Sequence, residues 1–164
     1  MTEEDSVSGI QKVGVVGCGL MGRGIAQVCA AAGYDTVVRE VNQELLDAGL
    51  GAVRKQLDRA VDKGKLESEV RDATLGRLSG TVSLEDLADC DLIIEAVFEE
   101  MAVKKDIFTR LDGIAGGGAI LATNTSALDI NEIAAVTKRP ESVIGLHFFS
   151  PANVMKLLEV VRGD

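Results

Sequence analysis

The sequence has few cysteines, one histidine, fewer basic than acidic residues and no long apolar run. Cys18, Cys29 and Cys90 have neither disulfide nor metal-site spacing, so we expect reduced cysteines that serve as packing residues. The net charge of −9, from 17 basic and 26 acidic residues, argues against general binding to nucleic acid or to an anionic membrane. No apolar run approaches the roughly 20 residues that span a bilayer. The chain begins with acidic residues rather than an apolar export segment, so we expect a cytoplasmic protein.

The chain has the length and composition of one domain, with 164 residues of which 46% are apolar. Short apolar runs predict strands over 12–16, 36–40, 92–97, 119–122, 143–148 and 156–160. Apolar residues at helical spacing predict helices over 21–32, 46–61, 70–78 and 103–111. Because strands and helices alternate, we predict a doubly wound α/β fold with a mostly parallel sheet whose last strand or strands run antiparallel. We expect residues 1–10 to be a flexible segment and residues 11–164 to form the domain.

The glycine-rich segment 17–24 follows the first predicted strand and opens the first predicted helix. Together with an acidic residue at the end of the next strand, this context is what dinucleotide binding requires, and it separates the loop from an ordinary strand–turn–helix connection. Gly17 permits the tight turn, Gly19 lets the backbone approach a pyrophosphate, and Gly22 lets helix and strand pack closely. The helix N-terminus then offers N–H groups to the phosphates. The pattern indicates a Rossmann-type domain.

Glu40 follows the second strand and bears on the choice of cofactor. A carboxylate there can accept hydrogen bonds from the adenosine ribose and would repel a 2′-phosphate, which favours NAD over NADP. Arg39 could instead attract that phosphate. Because neighbouring strand residues point to opposite faces, only one of the two should face the ribose. We expect Glu40 to do so, and NAD to be the cofactor.

From Gln11 to Gly163 the chain resembles the 3-hydroxyacyl-CoA dehydrogenase family, particularly its bacterial 3-hydroxybutyryl-CoA type. The most distinctive features are an Asn-Thr-Ser turn, a His-Phe-Phe segment and a glutamate twelve residues after the histidine. The resemblance implies oxidation of the 3-hydroxyl of an acyl-CoA by NAD, or the reverse reaction. The segments that carry it are 13–22, 62–65, 94–97, 123–126, 145–149 and 154–160.

The resemblance implies a catalytic role for His147, the only histidine, which lies at the end of a predicted strand where open α/β sheets bind their ligands. An imidazole can take the hydroxyl proton as hydride leaves the same carbon. Glu159 matches the family carboxylate that orients this ring and stabilises its protonated form. Ser126 matches the residue that hydrogen-bonds the 3-oxygen of the substrate. As alternatives, a lone histidine is more often structural, and Ser126 could cap a helix over 128–135.

Further positions match cofactor contacts of the family. Asn124 lies in the same turn as Ser126, although it could simply stabilise that turn. Glu99 and Lys104 match more weakly, since each could be a solvated charge. Ser150 stands where the family usually has asparagine, and its shorter reach predicts a weaker or water-mediated contact. The complete set of expected cofactor residues is Gly17, Gly19, Leu20, Met21, Gly22, Glu40, Glu99, Lys104, Asn124 and Ser150.

A cationic stretch over residues 54–65 contains five basic side chains against two acidic ones. Coenzyme A carries several phosphate charges and needs cations where it binds, and in the family this segment lies along the CoA-binding side. We therefore expect Arg54, Lys55 and Arg59 to contact the substrate. A solvated helix face explains the same cluster equally well.

The family continues into a mostly helical second domain, which supplies a further catalytic asparagine, covers the acyl-CoA and forms a homodimer interface. We expect that domain to be absent from this chain. Two other functions therefore remain open. The chain could be a cofactor-binding module that is inactive without a second domain or partner chain, or it could belong to another 3-hydroxy acid dehydrogenase.

Overall fold

The computed structural model describes residues 9–164. Seven strands and five helices alternate along this part of the chain, with short 3₁₀ helices at Leu84–Leu87 and Pro140–Ser142. The strands are β1 Lys12–Val16, β2 Asp35–Arg39, β3 Leu78–Thr81, β4 Leu92–Glu95, β5 Ile120–Thr123, β6 Val143–Phe148 and β7 Leu158–Arg162. The helices are α1 Leu20–Ala31, α2 Gln43–Asp62, α3 Ser68–Arg77, α4 Met101–Ile114 and α5 Ile130–Ala134.

The strands form one sheet in the order β3-β2-β1-β4-β5-β6-β7. All neighbouring pairs are parallel except β6 and β7, which are antiparallel. The chain first adds strands on one side of β1 and then crosses to its other side with β4. Open α/β sheets bind their ligands at this switch point, outside the carboxyl ends of the strands. The predicted doubly wound fold, with an antiparallel last strand, is confirmed.

Two apolar layers hold the helices against the sheet. Helices α1 and α2 cover one face, where Val13 and Val15 of β1 pack with Ile25 and Leu46. Helices α4 and α5 cover the other face, where Val16 packs in a cluster with Phe108, Ile133 and their neighbours. Because apolar residues of β1 are buried on both sides, this strand reads as a continuous apolar run rather than an alternating one.

The element boundaries differ from the sequence prediction mainly at the sheet edges. Strand β3 was not predicted, and β7 begins two residues later than expected. Both are edge strands whose residues are largely exposed, so burial does not mark them in the sequence. Of the predicted flexible segment, residues 1–8 lie outside the described residues, and Ile10 packs against the α1 face of the core. No helix within residues 9–164 has the length and hydropathy to cross a membrane.

Candidate active site

The carboxyl edge of the sheet collects most of the residues singled out in the sequence. The glycine loop follows β1, Glu40 follows β2, the 96–100 loop follows β4, and Asn124 follows β5. His147 lies near the end of β6, beside Glu159 of β7. Because the carboxyl ends of parallel strands share one edge, elements far apart in sequence meet here.

The glycine loop is built without room for side chains at two of its positions. Gly17 has φ +106°, a conformation that favours glycine, and a Cβ there would lie 2.7 Å from the carbonyl oxygen of Ala96. A Cβ at Gly22 would overlap the carbonyl oxygen of Gly17. In contrast, no atom lies within 4 Å of a Cβ built on Gly19, which is the N-cap of α1 and is exposed. The loop is therefore tightly packed at Gly17 and Gly22, and it is open to solvent at Gly19, beside the N-terminus of α1.

Glu40 faces this loop and Arg39 does not. The Glu40 carboxylate accepts hydrogen bonds from the N–H of Cys18 at 2.9 Å and from its neighbour Val41 at 2.8 Å. The Arg39 side chain instead donates to the carbonyl oxygen of Val82 at 3.4 Å, past the end of β3. Each oxygen of a carboxylate can accept more than one hydrogen bond, so Glu40 keeps acceptor capacity for a ligand above the loop.

His147 and Glu159 are direct partners in the β6–β7 ladder. A Cβ built on Gly145 would touch Ile130, so Gly145 faces α5. Side chains along a strand alternate between the two faces, so His147, two residues later, faces α5 as well. Its partner Glu159 lies on the same face. The His147 ring also contacts Phe149, with ring centroids 4.5 Å apart. Glu159 is exposed, and within residues 9–164 its carboxylate makes no hydrogen bond to the imidazole. Directly opposed residues on one face of a sheet have neighbouring Cβ atoms, so the two side chains lie within reach of each other.

The turn after β5 is tied to both neighbouring strand ends. The side-chain oxygen of Asn124 accepts a hydrogen bond from the N–H of Phe148 at 2.9 Å, next to His147. Asn124 therefore links two strands rather than merely closing its own turn. The Thr125 hydroxyl is hydrogen-bonded to the Glu99 carboxylate, and the N–H of Ser126 points to the same group at 3.5 Å.

The Ser126 side chain is exposed and does not cap the following helix. Helix α5 begins at Ile130, later than predicted, and its N-cap is Asp129, whose carboxylate accepts from the N–H of Asn131 at 2.8 Å. The N–H groups of Ala127 and Leu128 point to the Thr125 hydroxyl instead. The capping alternative for Ser126 is therefore wrong, and its hydroxyl faces solvent.

Lys104 is buried and paired within the domain. Its side chain is 2% exposed and its ammonium lies 2.6 Å from the carboxylate of Glu95, which is itself fully buried. Glu99, the other weakly matched residue, is exposed in the 96–100 loop. The alternative that Lys104 is a solvated charge is therefore wrong, because its charge is compensated inside the domain. Its contact with the cofactor stays a prediction.

The three basic residues that were expected to contact the substrate do not all lie at one place in the fold. Lys55 and Arg59 of α2 line a cleft of about 430 Å³ between α1, α2 and the 151–154 loop. Arg23 of α1 lines the same cleft. Nothing in the sequence indicated that Arg23 would join these two residues. Arg54 is exposed on α2 but is not part of this lining.

The remaining predicted residues lie around the loop and near the cleft. Leu20 is 60% exposed at the first position of α1, with the half-buried Met21 next to it. Ser150 is exposed just before the 151–154 loop. The three cysteines are free, and burial raises the pKa of each thiol to about 11, so none is a ready nucleophile at neutral pH.

Comparison with known sequences identifies the domain. A sequence model of the 3-hydroxyacyl-CoA dehydrogenase NAD binding domain matches residues 12–164. The chain belongs to this family. The predicted resemblance and the predicted cofactor, NAD, are therefore confirmed.

The relatives of this NAD-binding domain include bacterial proteins named 3-hydroxybutyryl-CoA dehydrogenase. The 3-hydroxybutyryl-CoA dehydrogenase of Mycobacterium tuberculosis strain H37Rv is 49% identical over 154 residues, which are 93% of this chain and 54% of the relative. The probable 3-hydroxybutyryl-CoA dehydrogenase of Bacillus subtilis strain 168 is 48% identical, with 94% and 54% covered. The crystal structure of (S)-3-hydroxybutyryl-CoA dehydrogenase from Ralstonia eutropha matches with a TM-score of 0.91 at 42% identity, covering 94% of this chain and 54% of that one. The chain spans about half the length of the curated relatives it matches.

The geometry of the loop fits the cofactor of the family. The open space over Gly19 gives a pyrophosphate access to the N-terminus of α1. The compact packing of Gly17 and Gly22 holds that helix close to β1. Glu40 reaches the same loop from β2 with acceptor oxygens suited to ribose hydroxyls. These three features are the ones that a dinucleotide site requires beside its first strand, and the binding roles of these residues stay a prediction.

Proposed function

We propose that this chain is the NAD-binding and partly catalytic part of an enzyme that oxidises the 3-hydroxyl of a 3-hydroxyacyl-CoA, or reduces the 3-oxo group in reverse. The observation that carries the proposal is the direct pairing of His147 with Glu159 at the same sheet edge as the glycine loop. A proton-transfer pair and a dinucleotide loop on one edge are what removal of a hydride and a proton from an alcohol requires.

In this proposal His147 is the general base. It takes the proton of the substrate hydroxyl, which builds carbonyl character at the carbon that loses hydride. Bound NAD supplies the hydride acceptor. Glu159, directly opposite in the ladder, turns the imidazole toward the substrate and stabilises its positive charge once it is protonated. In the reverse direction the protonated ring returns the proton to the oxygen.

Ser126 positions the substrate oxygen in this proposal. Its hydroxyl is exposed and the turn that carries it is fixed from both sides, because Thr125 is bound to Glu99 and Asn124 is bound to Phe148. A hydroxyl held in a fixed turn limits the orientations of the bound substrate oxygen, and positioning of this kind lowers the barrier to reaction.

We propose that the cationic cleft receives phosphate groups of the acyl-CoA. Arg23, Lys55 and Arg59 line it together, on a chain that is otherwise strongly acidic. Arginine suits phosphate through its planar set of donors, and lysine adds a point charge. Arg54, which is not part of the cleft lining, makes a weaker contribution at most.

The proposal is tested by His147→Gln in a fusion of this chain to the second half of a curated relative such as the M. tuberculosis enzyme. Reduction of acetoacetyl-CoA, followed by loss of NADH absorbance, should fall by about 10²–10⁴-fold, the usual contribution of a general acid–base group. Glutamine keeps the approximate size of the ring but cannot transfer the proton, so NADH affinity should stay close to that of the parent. Glu159→Gln should cost less, because the imidazole remains. Near-parental turnover in the His147 variant would rule out its role as the base.

A second candidate is a cofactor-binding module that acts only with another domain or chain. The exposed apolar side chains of residues 154–160, among them Val154 at 62% and Val160 at 56%, favour it, since such side chains next to the proposed base suit coverage by further protein. The two candidates separate in the fusion assay. Fusion turnover that is as low as that of the chain alone favours a module whose partner is a different domain or chain, because the proposed enzyme needs only the second half that the fusion supplies.

A further inference from the structure

A buried ion pair lies beneath the site and has no role in the mechanism described above. Lys104 of α4 and Glu95 at the end of β4 approach to 2.6 Å between ammonium nitrogen and carboxylate oxygen, with side-chain exposures of 2% and 0%. Removing two charges from water is costly, and buried pairs are often replaceable by apolar residues without loss of stability. Stability alone is therefore a weak reason for this pair.

The Glu95 carboxylate connects the two loops that flank the site. One oxygen accepts from the N–H of Val97 at 2.7 Å, in the loop after β4. The other accepts from the hydroxyl of Thr123 at 2.7 Å, at the end of β5. The Thr123 oxygen in turn accepts from the N–H of Thr125 at 3.3 Å. A single carboxylate thus fixes the start of both loops.

These loops carry the residues placed at the site. The first contains Glu99, and its Ala96 carbonyl lies against Gly17 of the glycine loop. The second contains Asn124 and Ser126, and Asn124 binds the N–H of Phe148 beside His147. A displacement of Glu95 would therefore reach the cofactor loop on one side and the proposed base on the other.

We propose that Glu95 and Lys104 are positioning residues that hold the cofactor loop and the Asn124–Ser126 turn in register. Lys104 compensates the charge of the buried carboxylate, and Glu95 distributes hydrogen bonds to both loops. Lys104 acts on the cofactor through Glu95 rather than by contact. The catalytic part of this inference rests on the proposed function, whereas the part that concerns the cofactor rests only on the NAD-binding domain.

The sharpest test removes the Thr123 hydroxyl, which donates to Glu95 and accepts from Thr125, and leaves both charges in place. Thr123→Val keeps the size of a fully buried side chain and deletes its hydroxyl. Thr36→Val is the matched control, because Thr36 is equally buried on β2 but lies near its amino end and donates to Tyr34. Thr123→Ser restores a donor and serves as the rescue variant.

Two measurements on the 164-residue chain decide the outcome. NADH affinity, from fluorescence titration, should fall about tenfold in Thr123→Val, the size expected from one lost hydrogen bond to a charged group. Amide hydrogen exchange should accelerate at Val97 and Thr125. Thr123→Ser should recover most of both effects. Thr36→Val should lower the unfolding temperature to a similar extent without changing NADH affinity or exchange at either loop.

The inference is overturned if Thr123→Val and Thr36→Val behave alike in both measurements. It is also overturned if Lys104→Met weakens NADH binding while exchange at Val97 and Thr125 stays parental, because Lys104 would then contact the cofactor directly. Failure of the parent chain to bind NADH would count against the proposed function instead. In that case the exchange measurement alone still decides whether Glu95 holds the two loops.

Discussion

Glu40 and Arg39 are consecutive residues whose side chains have different surroundings. The carboxylate of Glu40 binds the N–H of Cys18 in the glycine loop, whereas the guanidinium of Arg39 lies by Val82 on the other side of β2. A ribose held over the loop would therefore meet an anion and not a cation. The alternation of side chains from β2 into Glu40 therefore predicts that the cofactor meets a negative rather than a positive charge.

We expect the chain to bind NADH more tightly than NADPH, and Glu40→Gln to reduce that preference about tenfold. The amide can still accept the N–H of Cys18, but it no longer repels a 2′-phosphate. Fluorescence titration with both nucleotides measures the ratio. Glu44→Gln, an exposed carboxylate on α2, is the control and should leave the ratio unchanged. A parent chain that prefers NADPH would show that Arg39 faces the ribose.

Gly19 and Gly22 allow ligand binding and folding to be separated. Space above Gly19 is open, and its backbone angles of φ −72° and ψ −166° suit any residue. We expect Gly19→Val to abolish NADH binding while the unfolding temperature stays near that of the parent. Gly22→Ala should lower both NADH affinity and the unfolding temperature, because its Cβ would overlap the carbonyl oxygen of Gly17. Calorimetry with and without NADH measures the two effects.

The control for these glycines is Gly51→Ala, in the middle of α2 with open space around the added Cβ. It should stabilise the chain by about 0.5–1 kcal/mol, the cost of glycine in a helix, and leave NADH binding unchanged. Retained NADH binding in Gly19→Val would contradict the placement of the pyrophosphate over this residue.

At the scale of secondary structure, the end of α4 is fixed by Arg139 from the segment after α5. Its guanidinium contacts the Asp112 carboxylate at 2.8 Å and also donates to the carbonyl oxygens of Ala115 and Gly116. Burial opposes ionisation of Asp112, but the N–H of Lys138 and the Arg139 charge outweigh it and lower the pKa of this carboxyl. The pair therefore both caps α4 and makes its stability depend on pH.

The sign of that dependence follows from the lowered pKa of Asp112. Its contribution to stability is fully present above the unfolded pKa of about 3.9 and is lost as the pH falls through the lower folded pKa. Asp112→Asn should cost about 3 kcal/mol at neutral pH, as expected for breaking a largely buried pair. It should also flatten the loss of stability below about pH 4. Urea unfolding across pH measures both effects.

Asp106→Asn is the matched control on the same helix. Asp106 lies 4.0 Å from Arg110 and both side chains are exposed, so its loss should change the free energy of unfolding by less than about 0.5 kcal/mol. Equal costs for Asp106→Asn and Asp112→Asn would contradict the role given to the buried pair.

The sequence predicted elements best where burial dominates. The apolar runs of β1, β4 and β6 predict buried strands, because helices cover both faces of the sheet and its central strands are apolar on both sides. Strand β3 has no such run: Leu78–Thr81 becomes a strand only by pairing with β2. Strand β7 was placed two residues early because its position is set by the pairing of His147 with Glu159 and not by its own periodicity.

Residues of the candidate site could be recognised in the sequence where they directly follow a predicted strand. The glycine loop, Glu40 and the turn at Asn124 all follow strands, and strand ends can be recognised in a sequence. The partner of Lys104 could not be predicted, because Glu95 and Lys104 meet only after α4 packs on the sheet. Arg23 was missed for the same reason, since its neighbours Lys55 and Arg59 are on another helix.

At the scale of the whole molecule, the cofactor side and the substrate side are unequally enclosed. The glycine loop lies within a packed sheet-and-helix framework. The proposed base, in contrast, is flanked by the exposed Glu159 and by apolar side chains of residues 154–160 that face solvent. The curated relatives are about twice as long as this chain. We therefore expect this chain to suffice for binding the cofactor, whereas turnover of the substrate should need the longer protein.

We expect the 164-residue chain to bind NADH but to reduce acetoacetyl-CoA at least about a hundredfold more slowly than its fusion to the second half of a curated relative. Water reaches His147 in the chain alone, and the acyl group has no opposite wall to hold it in line, so positioning worth several kcal/mol is lost. NADH oxidation in the two proteins, at equal cofactor occupancy, measures the difference. Glu40→Gln in both provides the control, because a change in cofactor affinity should affect the two alike. Turnover by the chain alone at the rate of the fusion would show that the residues of this domain suffice for the reaction, and that the exposed apolar segment has no part in it.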